Sequence, residues 1–326
     1  KTAILTYTKS LRTFISDFLS KMGIENVSVL YKAQWDKKIF QEHDIIIVDE
    51  FQDFSINDIQ TVIRCAKIGV YFFGDSEQRI YLTNTDDEST VELNKIIEYT
   101  GFKHFNLKDN FRISVENMEF IHTLYKSNSL DNSFFNSGYK PKILQFENTI
   151  DELNWLKDFL VCNNEFKNIG ILLKQNDGFK GAYFYKRKLK VDQIYGIIEL
   201  YNFLKKHNIS VNYKYKNDDN LIFTKEMNIN IMTFHSSKGL QFDCVILPFS
   251  NYINENNKTI NLPYVGLTRA TKQIILTYSG LAADEYSVPI TPDIFDGTLI
   301  IKSNRDEPIK IDDIEPLVAD CKVIKL

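Results

Sequence analysis

The segment HDIIIVDE places two adjacent carboxylates, Asp49 and Glu50, directly after a run of apolar residues. Such a run is typical of a buried strand, and the ligands of an open parallel sheet bind at the carboxyl ends of its strands. Two carboxylates at this position suit the hydrolysis of a nucleoside triphosphate, because one can hold Mg²⁺ and the other can orient or deprotonate the attacking water. An ordinary acidic turn has the same sequence, so the pair alone leaves both interpretations open.

Short apolar runs alternate with amphipathic stretches along most of the chain, which is the pattern of parallel α/β sheets. A first series predicts strands at 3–7, 43–49 and 69–73, and helices at 9–22, 56–66 and 89–100. A second series predicts strands at 142–146, 168–173, 228–234, 244–249 and 273–278, and helices at 114–126, 150–161 and 192–206. The polar stretch 128–141 is predicted to be a loop within the second series. The sequence therefore predicts two parallel-sheet α/β domains.

The composition fits a globular chain with two domains of ordinary size, since 326 residues are 44% hydrophobic. No apolar run approaches the roughly 20 residues that span a bilayer, and the N-terminus lacks a signal peptide's pattern, so we expect a cytoplasmic protein with no membrane partner. The four cysteines are far apart, which indicates reduced packing residues rather than metal ligands or disulfides. A net charge of −4 excludes a uniformly basic surface but allows a local groove that binds phosphates.

Six segments in order carry a family resemblance. DEFQD (49–53) resembles the Walker B segment of UvrD/Rep-type superfamily 1 helicases. The other five resemble their motifs Ia, III, IV, V and VI: ILTYTKSL (4–11), GDSEQRIY (74–81), NLKDNFRIS (106–114), INIMTFHSSKGLQFDCVILP (229–248) and YVGLTRAT (264–271). The resemblance implies an α/β fold of two RecA-like parallel-sheet domains. We expect a first domain at 1–107, a second at 108–280 and a C-terminal extension at 281–326, with accessory domains reduced or absent.

The resemblance also implies ATP and Mg²⁺ as cofactors, bound in a cleft between the two domains. By this resemblance Asp49 coordinates Mg²⁺ and Glu50 is the catalytic base. The remaining expected catalytic residues are Gln78, which would sense the γ-phosphate, and two arginine fingers, Arg112 and Arg269. The expected nucleotide-side residues are Gly74, Asp75, Gly239 and Gln241. Glutamate is usual in the family at the position of Gln241, and an amide can still hydrogen-bond a ribose hydroxyl.

Single-stranded DNA is the expected partner, held by two sets of residues that resemble the family's contacts. The first set lies in motif Ia and comprises Thr6, Thr8 and Lys9; the second lies in motif V and comprises His235, Ser236 and Lys238. Tyr81 ends motif III and is a further expected DNA contact. The family commonly carries a Phe or Trp two residues later, on which a base stacks, and this chain has Thr83 at that position. The basic and aromatic run 179–190 would be a replacement surface, or else a solvated strand edge protected by lysines.

A phosphate-binding loop of the form GxxxxGK[ST] should precede motif Ia, and the sequence contains none. We expect an N-terminal portion that supplies it; the other interpretation is a natural pseudo-ATPase. The leading hypothesis is an ATP-dependent helicase or translocase with 3′-to-5′ polarity. The alternatives are a catalytically inactive interaction module that recruits a protein partner such as a nuclease, and a translocase that does not separate duplex DNA.

Overall fold

The computed structural model describes residues 1–37, 41–75, 100–105, 107, 109–125, 133–134, 136–184, 189–216, 218–221, 228–250, 261–279, 281–282 and 322–323. The chain divides into two units. The first unit comprises Lys1–Leu107 together with His235–Leu240, and the second comprises Lys108–Phe234 together with Gln241–Leu326. The short segment His235–Leu240 therefore belongs with the first unit, although the chain on either side of it belongs to the second.

Four parallel strands form the sheet of the first unit: β1 (Thr2–Thr6), β2 (Val27–Tyr31), β3 (His43–Asp49) and β4 (Ala66–Phe73), in the order β2-β1-β3-β4. The helices are α1 (Lys9–Lys21), α2 (Lys32–Trp35) and α3 (Ile56–Cys65), and a 3₁₀ turn covers Phe51–Asp53. Buried apolar side chains of β1, β3 and α3 make the core, among them Leu5, Ile46, Val48 and Ile59. Because the strands are parallel, their carboxyl ends lie at one edge of the sheet.

Capping side chains fix where the helices of this unit begin. The Thr8 hydroxyl accepts a hydrogen bond from the Leu11 N–H at the start of α1. The Ser55 hydroxyl accepts one from the Asp58 N–H at the start of α3, while the Asp58 carboxylate accepts the Ser55 N–H in return. Such reciprocal caps satisfy N–H groups that have no partner inside the helix. Helix α3 therefore begins at Ile56, shortly after Asp49 and Glu50 in the chain.

The second unit contains a larger mixed sheet with helices. The elements that follow β4 are, in chain order, β5 (Asp109–Asn110), α4 (Val115–Tyr125), β6 (Ser133–Phe134), β7 (Lys142–Phe146), α5 (Thr149–Cys162), β8 (Asn168–Leu173), β9 (Phe179–Phe184), β10 (Leu189–Ile194), α6 (Ile197–Lys206), β11 (Asn212–Tyr215), β12 (Asp218–Asp219), β13 (Asn228–Thr233), α7 (Phe234–Ser237), β14 (Phe242–Leu247), α8 (Asn261–Leu267), β15 (Ala270–Ser279), β16 (Leu281–Ala282) and β17 (Lys322–Val323). All of them belong to the second unit except α7, of which only Phe234 does. The main sheet has the order β12-β11-β13-β8-β14-β15-β7-β17, and all its pairings except β11 with β12 are parallel.

The predicted α/β class with parallel-strand sheets is confirmed, and every predicted strand is present with small shifts at its ends. Strand β2 was missed. The predicted helix 192–206 is wrong at its start, because β10 continues to Ile194 and the helix begins only at Ile197, where the Gly196 N–H donates to the Glu199 carboxylate. The predicted loop 128–141 contains the short strand β6, which pairs with β5. The predicted helix 89–100 lies outside the described residues except for its last position.

None of the helices that the structure describes has the length and apolar character needed to cross a membrane.

Candidate functional site

Asp49 and Glu50 lie at the carboxyl end of β3, as the sequence predicts. Asp49 is the last residue of the strand and pairs in register with Phe73 of β4. Glu50 has φ 55° and ψ 44°, and its N–H donates to Asp49 Oδ1 at 3.0 Å. A left-handed backbone costs a residue with a side chain about 1–2 kcal/mol. Strain of this kind is found where the surrounding structure enforces it, and functional sites are a common place for it.

The Gln52 side chain links the residue that follows β3 to a residue that follows β4. Its side chain is completely buried, and its Nε2 donates to Glu50 Oε2 at 2.6 Å. Its Oε1 accepts the Asp75 N–H, which follows β4, at 3.2 Å. A Cβ at Gly74 would lie 2.2 Å from that same Oε1, so only glycine allows the approach. The amide of Gln52 thus joins the ends of β3 and β4, a role that no local sequence pattern indicates.

Lys238 is also part of this site. Its Nζ lies 2.6 Å from Asp53 Oδ2 and 3.6 Å from Glu50 Oε2. Only 1% of the Lys238 side chain is exposed, and the Asp53 side chain is completely buried. The predicted nucleic-acid contact of Lys238 is untested, but its ammonium group is paired with carboxylates inside the first unit. Sequence reasoning missed Asp53 as a partner, although it ends the DEFQD segment.

The residues next to Lys238 differ in their exposure. His235 and Ser236 are half-buried. Burial, followed by the nearby Lys238 cation, lowers the pKa of His235, so this imidazole stays neutral more readily than usual. Gly239 has φ +80°, and a Cβ there would lie 2.5 Å from Leu11 Cδ2. Gly239 therefore allows the backbone of this segment to pass close to α1. Its predicted nucleotide contact stays a prediction.

The motif Ia residues form the turn between β1 and α1. Thr6 is completely buried, and its hydroxyl donates to the Thr8 carbonyl at 3.1 Å. The Thr8 hydroxyl caps α1. Lys9 is exposed at the first position of that helix. Of the three predicted DNA contacts, Lys9 is the one whose side chain is well exposed to solvent, while the two threonines shape the turn.

The predicted arginines lie in the second unit. Arg269 is 1% exposed, and its guanidinium donates to the Val265 carbonyl at 2.9 Å and to the Thr268 hydroxyl at 3.0 Å. Arg112 is half-buried, and its backbone N–H donates to Asn110 Oδ1 at 2.9 Å. Gln241 is exposed. Their predicted roles are untested.

Two predicted site residues, Gln78 and Tyr81, lie outside the described residues. Most of the extension 281–326 and the tip of the basic and aromatic run 179–190 lie outside them as well. Nothing in the structure bears on the roles predicted for these residues.

The donor set at the end of β3 fits Mg²⁺. Within the described part of the chain, no group of three or more histidine, cysteine, aspartate or glutamate side chains is arranged so that it could hold a metal ion. Mg²⁺ does not require such a cluster, because it commonly binds one or two carboxylates and completes its octahedron with water and substrate phosphates. Asp49 and Glu50 supply carboxylates of that kind.

Comparisons with known proteins agree with the motifs. Residues 228–277 match the UvrD-like helicase C-terminal domain. The chain is 24% identical over 297 residues to the ATP-dependent DNA helicase Rep of Buchnera aphidicola subsp. Acyrthosiphon pisum, a match that covers 83% of this chain and 44% of that protein. It is 43% identical over 60 residues to the Rep helicase of Buchnera aphidicola subsp. Schizaphis graminum, covering 15% of this chain and 9% of the relative.

Among solved structures, the helicase nonstructural protein 10 of an arterivirus matches with a TM-score of 0.40 and 12% identity, over 84% of this chain and 52% of that one. The chain spans less than half the length of the first of the Rep relatives. The family match and the two Rep relatives confirm the resemblance stated from the motifs.

Proposed function

We propose that this chain, a relative of the UvrD/Rep-type superfamily 1 helicases, acts in an ATP-dependent DNA helicase or single-strand translocase that moves 3′ to 5′. The observation that carries the proposal is the acid site at the end of β3. There Glu50 is held in a left-handed backbone conformation beside Asp49, and its carboxylate is hydrogen-bonded to the buried Gln52. The six ordered motifs and the Rep relatives support the same activity.

The roles follow from the chemistry of phosphoryl transfer. Mg²⁺, when bound, would supply positive charge that offsets the negative charge developing on the phosphates. Asp49 would be its carboxylate ligand. Glu50 would accept the proton of the attacking water, and Gln52 would keep its carboxylate from rotating away. General-base catalysis typically contributes about 10²–10⁴ in rate, which sets the expected size of the Glu50 contribution.

Two arginines are proposed to stabilise the charge that develops on the transferred phosphoryl group. Arg269 and Arg112 would supply the positive charge from the second domain. An arginine finger contributes on the order of 10³–10⁵ in rate. Arg269 is already ordered by its hydrogen bonds to Val265 and Thr268, which reduces the entropy lost on positioning it.

The DNA contacts are proposed to be positional rather than sequence-specific. Lys9, His235 and Ser236 offer a cation, an imidazole and a hydroxyl, which are groups that bind the sugar-phosphate backbone without reading bases. The protein would therefore act on single strands of any sequence, with an affinity that falls as salt rises.

An ATPase assay of the full-length protein with and without single-stranded DNA tests the proposal. We expect turnover to rise when single strands are added, and Glu50→Gln to lower kcat at least about 100-fold while ATP still binds. Glu50→Gln keeps the side-chain volume, so melting of the variant should match wild type closely. Wild-type protein without ATP hydrolysis in either condition would contradict the proposal and favour the inactive interaction module.

A strand-displacement assay on duplexes with a 3′ or a 5′ single-stranded tail separates the finer alternatives. A helicase of the proposed polarity opens the duplex with the 3′ tail. DNA-stimulated ATPase without strand displacement would identify a translocase.

A further inference from the structure

Lys238 lies in the segment that resembles motif V, where the sequence predicts contacts to DNA. Its position is unusual for a phosphate contact. The side chain is 1% exposed, whereas His235 and Ser236 nearby are half-buried. A lysine that binds the nucleic-acid backbone must exchange counterions for phosphates at the surface. The Lys238 ammonium instead faces two carboxylates of the acid site.

We propose that Lys238 is a positioning residue of the acid site, which holds Asp53 and Glu50 in place, and that it is not a nucleic-acid contact. The closer pairing, 2.6 Å from Nζ to Asp53 Oδ2, compensates a carboxylate that has no access to solvent. The longer one, 3.6 Å to Glu50 Oε2, approaches the same oxygen that accepts a hydrogen bond from Gln52. Glu50 is thus held from two sides, by an amide of its own turn and by a cation from a distant segment.

The residues that follow Lys238 are also closely packed. At Gly239 the positive φ and the close approach to Leu11 exclude any side chain. Leu240 is buried, and its N–H donates to the Ser237 carbonyl at 2.9 Å. Because Gly239 packs against Leu11 and the Lys238 side chain is 1% exposed, the ammonium is not placed to reach phosphates at the surface. For Lys238 to contact DNA phosphates, the segment His235–Leu240 would have to move away from the first unit.

This inference rests on the proposed function for the catalytic part of the role, but two of its consequences do not need hydrolysis. The first is that removing the ammonium leaves DNA affinity unchanged. The second is that Lys238 and its carboxylate partners are energetically coupled in the folded protein. Both can be measured in protein without nucleotide.

The DNA arm compares Lys238→Met with Lys9→Met in the full-length protein, using binding of a fluorescent single-stranded oligonucleotide at several salt concentrations. Both variants remove one positive charge and keep a linear side chain. Lys9→Met should weaken binding and reduce the slope of log K against log salt by about one, as expected for a lost phosphate contact. Lys238→Met should leave both quantities as in wild type. A loss of slope for Lys238→Met equal to that of Lys9→Met would overturn the proposal.

The coupling arm measures melting of Lys238→Met, Asp53→Asn and the double variant. Lys238→Met should lower the melting temperature markedly, because it removes the cation that lies 2.6 Å from a fully buried carboxylate oxygen. Asp53→Asn in the same chain should restore much of that loss, because the amide does not need a cation. Independent, additive effects of the two substitutions would overturn the proposal.

The catalytic arm uses the same double variant, because it folds without the ion pair. Loss of Lys238 should lower kcat at least about 10-fold with KM for ATP little changed, since an interaction that orients the base acts on the chemical step. This loss should persist in the double variant, because Glu50 still lacks its cation. Full recovery of kcat along with stability would show that Lys238 serves only Asp53 and would overturn the positioning role.

If wild-type protein hydrolyses no ATP, the proposed function fails. A melting cycle of Lys238→Met with Glu50→Gln then decides whether Lys238 holds Glu50. Additive effects in that cycle would overturn the inference, and coupling would support it.

Discussion

Gly74 controls how closely the ends of β3 and β4 approach each other. A Cβ at this residue would lie 2.2 Å from Gln52 Oε1 and 2.7 Å from Phe51 Cδ1. Gln52 is the side chain that holds Glu50, so a methyl group at Gly74 acts on the proposed catalytic base through one intermediate residue. The glycine is therefore explained by packing around the acids as well as by the expected nearness of nucleotide.

We predict that Gly74→Ala lowers the free energy of unfolding by about 1–3 kcal/mol, the usual cost of overpacking a dense site. Its ATPase kcat should fall as well, because Gln52 must move. Gly69→Ala is the matched control inside β4, the strand that Gly74 follows, since its nearest atom, Tyr71 Cε2, is 3.7 Å from the new Cβ. Urea unfolding of the two variants measures the difference. Equal stabilities for both would show that the approach at Gly74 is not tight in solution.

Helix α5 is joined to the main sheet of the second unit by a completely buried carboxyl group. Glu152 Oε1 accepts the Phe249 N–H at 2.7 Å and the Thr277 hydroxyl at 2.6 Å. Phe249, two residues beyond β14, has a left-handed backbone with φ 56°. Burial raises the pKa of Glu152, and the hydrogen bonds from Thr277 and Phe249 only partly oppose it.

This raised pKa predicts a pH dependence of stability with a definite sign. Because the folded-state pKa lies above the unfolded value of about 4.3, the native state binds more protons than the unfolded state in the interval between them. Stability from Glu152 is therefore complete at lower pH and is lost as pH rises through the folded-state pKa. Glu152→Gln keeps an acceptor oxygen and does not ionise. The free energy of unfolding of wild type should fall relative to this variant as pH rises; parallel curves would contradict the assignment.

The sequence predicted strands well where the apolar residues of a single segment were enough to identify it. The run DIIIVD in β3 contains four consecutive apolar residues, of which Ile46 and Val48 are fully buried, so its position follows from apolar content. Strand β2 was missed because VSVLY is short and half-exposed, and its pairing with β1 is what makes it a strand. The start of α6 was misplaced because β10 ends at Ile194 through pairing with β9, a tertiary contact that helical periodicity does not report.

At the scale of the whole chain, local sequence patterns indicated some residues of the candidate site but not the contacts between distant segments. Asp49 and Glu50 were predicted because they follow directly on a strand that could be recognised. The ion pair of Lys238 with Asp53 was not predicted, because these residues are far apart in sequence and no local pattern indicates that His235–Leu240 belongs with the first unit. Long-range pairing of this kind requires coordinates.

In the proposed function, carboxylates of the first unit and an arginine of the second act on one hydrolytic reaction. A double-mutant cycle of ATPase kcat at saturating single-stranded DNA tests it, using Glu50→Gln, Arg269→Lys and the combined variant, with melting curves to verify that each one folds. Each single substitution should lower kcat at least about 100-fold, and the combined variant should be little slower than the slower single variant, because residues that act as a unit are not additive. A folded Arg269→Lys protein with wild-type kcat would show that Arg269 takes no part in hydrolysis and would contradict the proposed function.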